Sequence, residues 1–442
     1  MKLKDFDFQR SNLELNGSNL ESLAFSVVQK YKKEKNTIAI CLPTLYEAQQ
    51  FLSFLLDYLD EDDISSFLYD EVLRIDALGT SREMMYERLH ALNILYNKKP
   101  GIVVFNSISL IRPIISQNYF ASINKSFRLN DKFSRQDFLE FAYRAGYTKV
   151  QKVEHPGEFA IRGMIIDFFS PGEKSPTRIE LDGNIIDDIR IFNPSTEISE
   201  KEINYAYIGP ASDLLFEYSK KEEIISHLKK ELTNYKEYDP LYIKISSNIN
   251  DIENSLLSVP YRLFKYYGDF HSIAQFPIKV YSYHKEECLA FIENKFLEEK
   301  EYFGELINGK IALQNEGVFL DYKTEYINLT EISENDSPIL TSVPYVFTSI
   351  IDLVQTLRTI INDGYKIVLC QEKNRCSNLI SYLEDGNIRY SFYPNISSVT
   401  IFYEEISGGF LFKEKNIIRA AYTFEQAKNG ENIKKCKKWR VI

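Results

Sequence analysis

Apolar residues recur at helical spacing over residues 20–35, Leu45–Leu59 and Glu83–Tyr96, and short apolar runs at Thr37–Leu42 and Gly101–Asn106 lie between them. Such alternation predicts an α/β layer built on a mostly parallel sheet. One more strand is expected at Asp70–Ile75, and a helix at Ser134–Ala145 that stops at Gly146. From Glu154 to Phe192 the pattern changes. A Pro156-Gly157 turn leads into Phe159–Phe169, a second turn spans Ser170–Pro176, and Arg178–Leu181 and Ile185–Phe192 flank Asp182-Gly183-Asn184. Turn residues between apolar and β-branched runs predict antiparallel sheet, ending near Gly209-Pro210.

Downstream, a helix is expected at Lys220–Lys230, a strand at Ile278–Tyr283, a helix at His284–Phe303, and a hairpin over Leu306–Leu313 turned at Asn308-Gly309. Thr330–Val343 is polar and reads as a linker. Ile350–Asp363, Lys366–Cys370, Arg375–Asp385 and Ile388–Tyr393 make a compact βαβ-like unit, followed by Val399–Glu404 and Gly408–Ala420.

A three-residue loop at 182–184 would place Ile179, Leu181, Ile185, Ile189 and Ile191 on one face of the hairpin. Arg178, Glu180, Asp188 and Arg190 would then occupy the other, with Arg178 opposite Asp188. That outer face carries charge and no catalytic grouping, which suggests docking. Gly157 permits a turn, Gly163 suggests a bulge or close backbone approach, and Asp167 within an apolar strand is expected to satisfy a local donor.

Three segments carry a family likeness: Gly157-Glu158-Phe159-Ala160-Ile161-Arg162-Gly163-Met164-Ile165-Ile166-Asp167-Phe168-Phe169, then Arg178–Gly183, then Ile186–Phe192. Together they resemble the UvrB homology module of nucleotide-excision repair, as found in the amino-terminal part of the bacterial transcription-repair coupling factor (Mfd) family. The resemblance implies a degenerate helicase-like (RecA-like) α/β domain, residues 1–130 and 214–329, interrupted by a β-rich UvrA-binding module at 131–213. A small α/β domain at 344–442 would follow. It implies UvrA as partner and Glu158, Arg162, Arg178 and Arg190 as the UvrA-binding residues. Arginine suits that role through its bidentate fork, although cross-strand ion pairing alone would also account for these side chains. Family members often carry an aromatic pair after the Arg-x-Glu/Asp strand, where this chain has Leu181-Asp182. Full-length members continue into an RNA-polymerase-binding region and a DNA-translocating motor. This chain stops before both, so it is not expected to displace polymerase or move on DNA.

Composition narrows the picture. The chain has 442 residues, 44% hydrophobic, with 30 Phe and 30 Tyr, enough for two to four folded domains. A formal charge of −10 argues against autonomous DNA binding. Five scattered cysteines without a C-x-x-C pair suggest neither zinc nor a disulfide framework, and neither a signal peptide nor a membrane span is apparent. A cytoplasmic location is expected.

Phosphate chemistry looks absent. Where the resemblance places a P-loop, the chain reads Leu15-Asn16-Gly17-Ser18-Asn19-Leu20-Glu21-Ser22, lacking the Lys. Ser282-Tyr283-His284 stands where an Asp-Glu pair would hold magnesium. Gly304–Ile311 fits G-x-x-x-x-G-K, but in the wrong context. His90, His155, His227, His271 and His284 lack ligand spacing. The basic run Lys434–Arg440 reads as a strand end or linker stub. No catalytic residue, metal or cofactor is expected. The alternatives are a UvrB-like DNA-dependent ATPase and a scaffold that has lost UvrA binding.

Overall fold

The computed structural model describes residues 15–17, 19–73, 81–254, 259–268, 270–321, 327–332, 340–341, 350–364, 366–370, 373–374, 376–393, 397–404, 411–412, 419–420, 422–423 and 440–441. The elements come in the order α1 (Leu20–Glu34), β1 (Thr37–Leu42), α2 (Leu45–Leu56), β2 (Ile64–Phe67), α3 (Arg82–Asn97) and β3 (Gly101–Asn106). A single turn α4 (Gln117–Ser122), β4 (Lys125–Arg128) and α5 (Arg135–Arg144) lead into β5 (Thr148–Lys149), β6 (Glu158–Arg162), β7 (Ile165–Phe168), β8 (Thr177–Asp182), β9 (Ile185–Phe192), β10 (Ser199–Glu202) and β11 (Tyr205–Ile208). Then follow α6 (Lys221–Leu232), α7 (Pro240–Glu253), α8 (Phe264–Tyr267), β12 (Val280–Ser282), α9 (Lys285–Asn308) and β13 (Leu329–Glu331).

β1, β2, β3, β12 and β13 form one parallel sheet in the order β13-β12-β1-β3-β2. Strands from both sides of the β-rich segment therefore build one sheet, as an insertion requires. Alternation along β1 and β3 divides the core. Ile38, Ile40, Leu42, Ile102 and Val104 face α1 and α2, whereas Ala39, Cys41, Val103 and Phe105 face α3 and α9. The latter core continues without a break into the inserted module, through Phe127, Phe138, Phe159, Ile166, Phe168, Ile179 and Ile189. The two parts are packed as one body.

In the module, β5 to β10 make a six-stranded sheet in sequential order, and β4 pairs with β11 at its base. That strand pair begins at Lys125, six residues before the expected boundary at 131. Helix α5 is closed by a capping box, Ser134 with Asp137, and it buries Phe138 and Ala142 against the sheet. The last unit holds β14 (Leu340–Thr341), α10 (Ile350–Asn362), β15 (Lys366–Cys370), α11 (Cys376–Asp385), β16 (Tyr390–Ser391), β17 (Val399–Phe402) and short strands β18 (Leu411–Phe412), β19 (Arg419–Ala420), β20 (Tyr422–Thr423) and β21 (Arg440–Val441). β16, β17 and β15 run parallel beneath α10 and α11.

Several expectations fail for identifiable reasons. The strand expected at Asp70–Ile75 is Ile64–Phe67, whose Ile64 and Phe67 are buried in register with Ile102 and Phe105. Beyond it, the Asn106 side-chain amide takes over both backbone groups of Tyr69, which ends the ladder. Residues 74 and 75 lie outside the described residues. The hairpin expected at Leu306–Leu313 is instead the end of α9. Burial of Phe303 and packing of Leu306 and Ile307 on the core keep the chain helical, and Gly309 caps it. The expected linker begins later, because Thr330 and Glu331 pair with Tyr281 and Ser282 in β13. The remainder at 333–339 and 342–343, most of Gly408–Ala420, Ser18 and 434–439 of the basic run lie outside the described residues.

Candidate protein-docking face

The inner face of the six-stranded sheet is apolar, so its outer face is where chemistry is displayed. Ala160, Asp167, Arg178 and Arg190 form one cross-strand row there, and Arg162, Ile165, Glu180 and Asp188 the next row on the same side. A small apolar cluster of Val153, Ala160, Phe169 and Phe192 borders these rows.

The β8–β9 register departs from the expected one. The loop is two residues, Gly183-Asn184, with Gly183 at φ +61°, and Asp187 is an extra residue bulged out of β9. Between the loop and the bulge the faces swap, so Ile186 is buried and Ile185 exposed, whereas the half-buried Ile191 stays on the face of Ile189 as expected. Arg178 consequently lies opposite Arg190 rather than Asp188. Like charges in that position repel, and each is neutralised from a different side.

Asp167 neutralises Arg178. The Arg178 Nε donates to Asp167 Oδ1 at 2.7 Å and its Nη2 to Oδ2 at 2.9 Å, a bidentate pair. Asp167 also accepts from Arg162 Nη2 at 2.5 Å, so one carboxylate buried to 1% exposure holds two guanidinium groups side by side. The Arg178 guanidinium lies 4.8 Å from the Phe192 ring, and hydrogen bonding to Asp167 raises its pKa. Arg162 remains 43% exposed and reaches Glu197 Oε1 at 3.3 Å through Nη1. Arg190 is held separately, by Asp188 and by Glu180 at 3.4 Å, and hydrogen bonding to Asp188 raises its pKa.

The structure thus unites Arg162 with Arg178 and places Arg190 in its own ion-pair group. Glu158 lies apart from both groups. Its Oε2 accepts from the backbone N–H of Glu154 at 2.8 Å and of His155 at 2.9 Å, which fixes the turn at Pro156-Gly157. Gly157 has φ +83°, as that turn demands. Gly163 serves neither a bulge nor a close approach: a Cβ at this position would meet nothing within 4 Å, and its φ of +63° makes the β6–β7 turn. Asp167 satisfies local donors, as its sequence context suggests. Glu197 carried no signal, since the 193–198 loop brings it to Arg162 only in three dimensions.

Comparison with known proteins bears on this face directly. Residues 126–214 match the family model of the UvrB interaction domain. The chain is 28% identical over 260 residues, 58% of its length, to the transcription-repair-coupling factor of Staphylococcus aureus (strain bovine RF122 / ET3-1). It is 27% identical over 259 residues to that of Staphylococcus haemolyticus (strain JCSC1435). The chain is related to the amino-terminal region of the transcription-repair coupling factors. The aligned part spans 21% of those relatives' length. The outer face described above belongs to the UvrB interaction domain, since both rows fall between residues 160 and 190.

At the start of α1, where the resemblance places a P-loop, the helix N-terminus is occupied by protein. Asn19 Oδ1 accepts from Ser22 N at 2.9 Å, and Asn19 N donates to Ser22 Oγ at 3.2 Å. Gly17 packs so closely that a Cβ there would sit 2.7 Å from Leu23 N. Glu21 lies in the first turn, where a carboxylate favours the helix dipole and repels phosphate. At the end of β12, buried Ser282 lies beside Cys41 of β1 and donates to Cys288 Sγ at 3.3 Å. Among the described residues, no three His, Cys, Asp or Glu side chains cluster to hold a metal.

Proposed function

We propose that this chain recruits UvrA in nucleotide-excision repair, as a segment of the transcription-repair coupling type without ATP hydrolysis of its own. The observation that carries the reading is the outer face of the UvrB interaction domain, where Asp167 holds Arg162 and Arg178 together with part of Arg162 open to solvent. Guanidinium pairs in that setting are complementary to carboxylates of a protein partner. The self-capped α1 N-terminus and the serine at the end of β12 support the loss of phosphate chemistry. Among the described residues, no helix is long and apolar enough to cross a membrane, which is compatible with a cytoplasmic repair factor.

Titration against purified UvrA tests the docking half. Wild type should bind, and Arg162→Glu should weaken binding by about 2 kcal/mol or more, roughly thirty-fold. Equal retention of wild type and variant would refute the assigned surface. Calorimetric titration with a non-hydrolysable ATP analogue and magnesium tests the other half, and tight uptake would refute it.

A further inference from the structure

Resting on the docking reading, we propose that the two acids on Arg162 have opposite roles: Asp167 is a fixed positioning residue, and Glu197 is a displaceable stand-in for a carboxylate of the protein partner. The two contacts differ in kind. Asp167 is 1% exposed, sits within strand β7, and has both oxygens engaged, one by Arg178 and the other by Arg178 and Arg162 together. Releasing it would break three charge-assisted bonds and leave a carboxylate buried. Glu197 is 34% exposed and makes a single bond to Arg162, at 3.3 Å. Its backbone is left-handed, at φ +58° in the loop after β9, a conformation that a glutamate adopts at some cost.

Arg162 is therefore clamped on one side by an anion that stays and covered on the other by an anion that can leave. A partner carboxylate offering a two-oxygen approach to Nη1 would outcompete the single Glu197 contact. The occupant is an acidic side chain and not a nucleic-acid phosphate, because Glu180, Asp188 and Glu202 stand on the same face and repel a polyanion. In the unbound protein Glu197 keeps Arg162 neutralised, and binding exchanges one carboxylate for another.

The test is affinity for purified UvrA, measured by titration with the whole chain. Glu197→Ala should tighten binding about two- to five-fold, the range of an exposed ion pair, and should have no effect in an Arg162→Ala background. Asp167→Asn should weaken binding by about ten-fold or more, with no further loss when it is combined with Arg162→Ala and Arg178→Ala together. A merely structural Asp167 would give additive losses instead. Unchanged or weaker binding by Glu197→Ala, with wild type binding normally, overturns the proposal, and this arm stands even where Asp167→Asn fails to fold. Absence of binding by wild type overturns the docking reading itself.

Discussion

The residue on which the joint between module and α/β domain depends is Asp213, and its replacement by asparagine makes a demanding test. Asp213 leaves the module and enters the shared core, where both it and Arg88 of α3 are fully buried. Arg88 Nε donates to Asp213 Oδ2 at 2.6 Å, and the Tyr69 hydroxyl donates to the same oxygen at 3.0 Å. The Tyr261 hydroxyl donates to Oδ1. Arg88 is completed by Leu68 O at 2.9 Å, the Tyr261 hydroxyl at 3.2 Å and the Tyr69 ring 4.0 Å away. Burial alone would lower the Arg88 pKa, and Asp213 together with Tyr69 and Tyr261 more than offsets that. Asparagine keeps the shape but removes the charge, so it leaves an uncompensated buried cation beside a second one, Arg112, which packs on the other ring contact of Tyr69 at 5.0 Å. Breaking a buried pair in this way costs about 3–5 kcal/mol. For a cooperative unit that includes both the module and the α/β domain, at about 2.1 cal/mol/K per residue, that lowers the melting temperature by roughly 4–8 °C. Urea denaturation followed by far-UV circular dichroism measures it, and Arg88→Met added to Asp213→Asn should recover at least about 1 kcal/mol by removing the stranded charge. A loss below about 1 kcal/mol for the single variant, or a double variant less stable than the single, would refute the role given to this pair.

Three further outcomes are expected. Gly17→Ala should destabilise the α1 end by about 1–3 kcal/mol, because its Cβ would sit 2.7 Å from Leu23 N and 2.8 Å from Leu23 Cα, backbone atoms that must shift; thermal melting checks this. Arg178→Ala strips the bidentate partner from buried Asp167 and should cost about 1–3 kcal/mol, whereas Arg190→Ala, whose pairs lie near the surface, should cost less than about 1 kcal/mol in the same melts. His90 is half-buried, and burial followed by nearby Lys99 lowers its pKa. The unfolded chain therefore takes up a proton near the usual value of about 6.5 while the folded chain does not. Its contribution is present above that pH and is lost as pH falls toward the folded value. Melting temperature should drop on acidification below about pH 6.5 in wild type more steeply than in His90→Asn. Glu173, whose pKa burial raises, titrates in the opposite sense in both proteins and cancels from the comparison.

Strands β1, β3 and β15 were legible to the residue, because each is a mainly apolar run and all three pair in parallel with their neighbours and are buried on both faces. Legibility failed where a side chain or a distant contact decides. Asn106 ends the β2 ladder with its amide, and the core holds Leu306 and Ile307 in a helix where Asn308-Gly309 alone favours a turn. The proposed docking face shows the same division. Its charged residues and apolar reverse side follow from alternation, but the bulge at Asp187 does not, and that bulge separates Arg178 from Asp188. Arg178 then finds its acid in the preceding strand, and Arg162 finds a second one in a loop that no periodicity describes.

Why this face should suit recognition follows from what lies beneath it. The inner side of the same strands carries Phe159, Phe168, Ile166, Ile179 and Ile189, packed under α5 through Phe138 and continuous with the core of the parallel sheet. Side-chain positions on the outer face are thus set by a close-packed interior, and little backbone order remains to be gained on binding. The charges are also settled before a partner arrives: Arg162, Arg178 and Arg190 each hold acids of their own sheet or its loop. A face of that kind offers little attraction to indiscriminate anions, since any newcomer must replace an existing pair. Selectivity then rests on geometry, and among these arginines Arg162 is the most exposed, with the partly exposed Glu197 on its open side.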